Sequence, residues 1–125
     1  MKESTRFLNN AREILLKSTI EDDTYLDIKY VQEACGTAYL AILKAIDAYL
    51  MSRGVAKKEL PRSEEGYRKA LNKYVTPHNG KLSREFEKLY DGLHIAGYYR
   101  GLLKDTNAVK GYFKAAKGFI DKVDA

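Results

Sequence analysis

The stretch from Asp27 to Arg53 limits what this chain can fold into more than any other. It reads as one unbroken helix, starting at Thr24 or Asp27, and between Tyr39 and Leu50 only Lys44 and Asp47 carry a charge. Val31, Cys35, Ala38, Ile42, Ala45, Ile46 and Tyr49 make one apolar face. Gly36, Leu40, Leu43, Asp47 and Leu50 make a second, largely apolar stripe on the other side. A helix that is apolar on both sides must be surrounded, by other helices of its own chain or by a partner. Gly36 and the alanines 34, 38, 41, 45 and 48 are small enough to let a neighbouring backbone come close. Gly54 supplies the stop signal just past the helix end.

The other segments supply the surrounding helices. A first helix, Thr5 to Ile20, carries the stripe Phe7, Leu8, Ala11, Ile14 and Leu15, with Ser4 or Thr5 as cap. Asp22, Asp23 and Thr24 break the pattern and offer caps for the next helix; Asp22-Asp23 as a cation site is the weaker reading. Ser63 caps a short third helix ending near Tyr74, with Glu64 and Glu65 in its first turn. Thr76 to Gly80 reads as a turn, with His78 exposed in it. A fourth helix, Leu82 to Tyr99, buries Leu82, Phe86, Leu89, Tyr90, Leu93 and Gly97. At the helical period Ile95, Tyr98 and Leu102 fall on its opposite face, with His94 at the border. A fifth, Asn107 to Val123, is capped by Thr106 and carries Val109, Tyr112, Phe113, Ala116, Phe119, Ile120 and Val123 on one side. Lys110, Lys114, Lys117 and Lys122 lie on the other. No sustained period of two marks a strand. The expectation is a single domain over 1–125, an all-α, up-and-down antiparallel bundle of four to five helices.

Composition narrows the function classes. The longest apolar run, Ala38 to Leu43, is six residues, far below the ~20 that span a bilayer. The first residues hold no apolar signal core, and the single cysteine, Cys35, suits a reducing compartment. These point to the cytoplasm and away from the membrane. There is no P-loop, no nucleophile elbow and no His-Glu-x-x-His or Glu-x-x-His spacing, so neither cofactor nor metal is expected. Charge is uneven, net −2 over residues 1–50 and net +7 over 51–125. The basic half can meet a polyanion such as RNA, weakly and without sequence preference, or simply be a solvated lysine-rich surface.

One acid–base candidate stands out. His94 can take a proton from a ribose 2′-hydroxyl. Asp91, about one turn earlier, can orient the ring, and Lys88 or Arg100 can meet a phosphate. Packing at a helix border is the competing reading of His94.

Taken together, Tyr30 to Tyr49, Leu93-His94-Ile95-Ala96-Gly97-Tyr98-Tyr99 and the closing helix Val109 to Phe119 resemble the HEPN domain (higher eukaryotes and prokaryotes nucleotide-binding). The resemblance implies a bundle of four or five helices. Many HEPN proteins are metal-independent ribonucleases whose Arg-x4–6-His motif pairs across a dimer. Carried over, the histidine is His94. Where the arginine belongs stand Glu87, Lys88 and Leu89, and Arg84 is out of register. Lys88 has the spacing but lacks the rigid guanidinium fork. The resulting expectation is a non-catalytic HEPN-like binding or regulatory module that self-associates as a homodimer through Leu40, Leu43, Leu50, Ile95, Tyr98 and Leu102. One alternative is a ribonuclease or RNA-binding toxin-like protein using His94, Lys88 and Asp91. The other is the helical partner of a separate nucleotidyltransferase.

Overall fold

The two-faced apolar segment forms helix α2, Ile28–Ser52, and the remaining elements gather around it. The computed structural model describes residues 1–75 and 80–125. In it α1 (Glu3–Leu15), α3 (Glu64–Tyr74), α4 (Gly80–Leu89) and α5 (Thr106–Val123) complete an all-α bundle. Packed against α2 are α1, α3, α5 and the segment that continues α4. The inward face of α2, including Val31, Cys35, Ala38, Ile42 and Ile46, has no solvent exposure. Each fully buried large aliphatic side chain there stabilises the fold by about 1.5–3 kcal/mol relative to exposure. By length and composition α2 would also pass as a membrane span. Half of its most apolar window is buried inside the bundle, and its central position accounts for that composition.

Capping sets the helix starts. The Asp27 carboxylate accepts from the Lys29 amide (3.1 Å) and Ser63 Oγ from the Gly66 amide (3.0 Å). Asp105, rather than Thr106, caps α5 by accepting from the Ala108 amide at 2.8 Å. Gly54, at φ +93°, follows the end of α2 in a conformation that L side chains rarely adopt.

Three further expectations need correcting. The first helix ends at Leu15, and beyond it lies a small antiparallel hairpin, β1 (Ile20–Glu21) and β2 (Thr24–Tyr25). Asp22 and Asp23 are its turn, at φ 52° and 58°, and cap nothing. A two-residue hairpin turn with positive φ at both positions matches the right-handed twist of its strands, and Asp tolerates that region better than most residues. Two strand residues are too few to show a period of two, and what secures the hairpin is distant chain: the Tyr25 amide donates to the Lys104 carbonyl (2.8 Å) and the Thr106 amide to the Asp23 carbonyl (2.9 Å).

The second correction concerns the fourth helix. It stops being an α-helix at Leu89 and continues as a π-helix, Tyr90–Tyr99. The Arg100 amide reaches back five residues, to the Ile95 carbonyl, at 2.8 Å. Such wide turns are rare, so a face assignment made with the ordinary helical period fails there.

Third, Leu50 does not face a second copy. It is 1% exposed and part of the core. The last turns of α2 are enclosed by α3: the Tyr49 hydroxyl donates to the Tyr74 carbonyl (3.2 Å) and the Tyr67 hydroxyl to the Asp47 carboxylate (2.9 Å). The expected turn with His78 lies outside the described residues.

Candidate functional site

The π-helix is held unusually close to its neighbours, and glycines make that possible. A Cβ at Gly36 would come within 2.7 Å of the Tyr98 ring, and one at Gly97 within 2.7 Å of Cys35 Sγ. A Cβ at Gly92 would collide with the Tyr112 ring of α5. The Gln32 amide donates to the Tyr98 carbonyl at 3.0 Å and ties the end of the π-helix to α2.

In this geometry residues four apart stack along the helix. Tyr90, His94 and Tyr98 form a ladder, with ring centroids 5.3 Å apart at the first step and 5.8 Å at the second. Tyr39 of α2 packs against the middle of it, 4.9 Å from the imidazole. His94 is half-buried among three phenol rings. Beside it opens a groove of about 570 Å³, walled by Ile14 of α1, by Gly36, Leu40 and Leu43 of α2, and by His94 and Tyr98.

A charged cluster braces the inner end of the ladder. The Arg68 guanidinium holds both oxygens of Glu87 (2.6 and 2.7 Å) and also pairs with Glu64. It lies 5.0 Å over the Tyr90 ring, a cation–π arrangement. The hydrogen bond to Glu64 and burial raise the Tyr90 phenol above its ordinary pKa. Burial, reinforced by Glu64, likewise raises that of Tyr39. Both rings therefore stay neutral and apolar-faced at physiological pH.

The structure separates the expected catalytic residues. Lys88 lines a different groove, of about 490 Å³ between α4 and α5, together with Glu85, Tyr112 and Lys122. His94 lines the groove beside α1 and α2. Asp91 is exposed. The base and its cation are therefore not assembled within one chain. Of the expected interface residues, Leu40, Leu43 and Tyr98 share the His94 groove. Ile95 is half-buried and does not line it, while Leu102 is 57% exposed four residues beyond Tyr98. Tyr39, Tyr90 and Arg68 were not among the expected site residues. The spacing Tyr90-x3-His94-x3-Tyr98 is the signal that could have revealed the ladder.

Among the described residues no group of three or more His, Cys, Asp or Glu side chains is arranged to hold a metal. The site offers stacking rings, apolar walls and an imidazole.

Comparison with known proteins places this architecture in context. A family model described as a domain of unknown function (DUF5618) matches residues 1–125. A solved structure of a protein of unknown function from Dyadobacter fermentans is similar at TM-score 0.79 and 33% identity, over 98% of this chain and 90% of that one. A protein from Sulfolobus solfataricus shares the fold at TM-score 0.72 and 17% identity, over 96% of this chain and 92% of that one. No curated protein matches the chain.

Proposed function

The chain belongs to the DUF5618 family, and we propose that it works as a non-catalytic, HEPN-like binding or regulatory module in the cytoplasm, pairing with a second copy through the face that carries the His94 groove. The observation that carries this reading is the exposure of large apolar side chains along one face. Leu40 is 45% and Tyr98 48% exposed at the groove. Exposed apolar clusters of this kind favour burial against another protein surface. An isologous pair would place the same patch on both sides of a two-fold axis. The separation of Lys88 from His94 favours binding over catalysis.

The test is light scattering on the full chain from micromolar to submillimolar concentration. A dimer is expected, with Leu40→Glu shifting it to monomer while the helical circular dichroism and melting temperature hold. A wild-type chain that stays monomeric across the range overturns self-association. Its open groove would then favour the second partner class, a separate nucleotidyltransferase that covers it.

A metal-independent ribonuclease is the second reading, favoured by one specific observation: His94 lies in a π-helix, a distortion that recurs at functional sites. It requires a second copy to bring a cation to His94. RNA cleavage to cyclic-phosphate ends that His94→Ala abolishes, in a folded variant, would establish it. Weak RNA binding that declines steeply with salt is expected of the basic half in either case.

A further inference from the structure

On the far side of α1 from the His94 groove lies a second concavity, and it is built differently. It has a volume of about 590 Å³ and runs between the end of α1, the hairpin and α5. Its floor is recessed and apolar: Leu15, Tyr25 and Phe113 are 9%, 4% and 5% exposed. Leu16 and Ile20 extend the apolar surface to the edge, at 84% and 53% exposed. Arg12 stands on one bank, and Lys110, Lys114 and Lys117 stand on the other.

No carboxylate lines this trough. Of the four cations only Lys117 has an ion-pair partner among the described residues, Asp121 at 2.7 Å. The other three leave a net positive mouth above an apolar floor. The positions Lys110, Lys114 and Lys117 follow helical spacing, so the three ammonium groups rise along one edge of α5.

The geometry points to a binding site for a single-chain anionic amphiphile, a carboxylate bearing one long alkyl chain. Hydrocarbon fits the floor, which excludes a purely polar anion as the best ligand. The cation rim fits the carboxylate, and a neutral or cationic amphiphile would leave it unpaired. A concave floor below its cations also fits a bilayer poorly, since a membrane surface cannot reach into it. The volume lies within the roughly 300–1,000 Å³ typical of small-molecule pockets. This site is separate from the His94 groove and does not depend on the function proposed for that groove.

The test is isothermal titration of the full chain with dodecanoate below its micelle concentration, with amide NMR shifts to locate the site. Saturable binding is expected, with shifts centred on Phe113 and Tyr25. Each added methylene from decanoate to tetradecanoate should tighten binding by up to about fourfold. The double variant Lys110→Glu/Lys114→Glu should weaken it by about tenfold or more. Both lysines are exposed, so the fold should tolerate the change, which circular dichroism checks. Lys57→Glu/Lys58→Glu, on a short exposed turn elsewhere, should leave binding unchanged. The proposal is overturned if dodecanoate does not saturate, if dodecyltrimethylammonium binds as well, if charge reversal has no effect, or if only vesicles containing phosphatidylglycerol bind.

Discussion

Gly97 rests directly on Cys35. A methyl group there would lie 2.7 Å from both the Cβ and the sulfur of Cys35. Neither side can yield easily, because Cys35 is fully buried on the inward face of α2. Gly97→Ala should therefore destabilise the protein by about 1–3 kcal/mol, the usual cost of overpacking, as read from urea unfolding. Gly118 is also helical, but a Cβ there meets nothing within 4 Å. Gly118→Ala should leave stability unchanged or raise it by up to about 1 kcal/mol. Equal losses in the two variants would contradict this account of the packing.

The same burial makes Cys35 chemically quiet. Desolvation pushes its thiol up to about 12, and the nucleophile is the thiolate. A disulfide reagent should label the native protein only slowly at neutral pH, and the denatured chain at once. Rapid labelling of the folded protein would mean that the π-helix lifts off α2 far more readily than its contacts imply.

Alkaline conditions should unfold the protein through its phenols. Burial raises Tyr39 and Tyr67 above the ordinary phenol value of 10.0, and for Tyr67 the Asp47 carboxylate adds to the shift. The unfolded chain loses these protons first. The stability they supply is therefore intact below about pH 10 and falls as the pH rises through the folded-state values. Urea midpoints measured from pH 8 to pH 11 should drop at the alkaline end. Tyr39→Phe should flatten that drop relative to wild type; an unchanged slope would remove Tyr39 from the explanation.

The hairpin turn can be probed at Asp23, whose φ is 58°. Glycine adopts this conformation without strain, at the cost of a more flexible unfolded chain. Asp23→Gly should stay within about 1 kcal/mol of wild type. Asp23→Val forces a β-branched residue into the left-handed region and should lose about 2 kcal/mol. Thermal unfolding of both variants measures the difference.

How far the sequence could be read depended on the range of the interactions involved. α2 and α3 were legible almost to the residue, because apolar spacing, Asp27, Ser63 and Gly54 are local signals of start and stop. The hairpin was not, since two strand residues give no pattern and its backbone partners, Lys104 and Thr106, are some eighty positions away in the chain. The burial of Leu50 escapes the sequence for a related reason: the helical period shows that a stripe is apolar, but only the packing of distant chain around it decides which of its members are covered. In the site, His94 is legible as the acid–base candidate and the four-residue spacing of Tyr90, His94 and Tyr98 carries the ladder, whereas Tyr39 reaches the imidazole from α2 through packing that no local signal encodes.

The five-residue bonding of Tyr90 to Tyr99 makes this stretch intolerant of a change in length. Surface loops accept insertions and deletions because their neighbours do not depend on the count of residues between them. Here the count itself sets the alignment. Removing a single residue between Gly92 and Gly97 would bring a different residue opposite Cys35, and would rotate Tyr98 away from the notch left by Gly36. Related chains that keep this packing should therefore vary in the identity of residues along the segment well before they vary in their number.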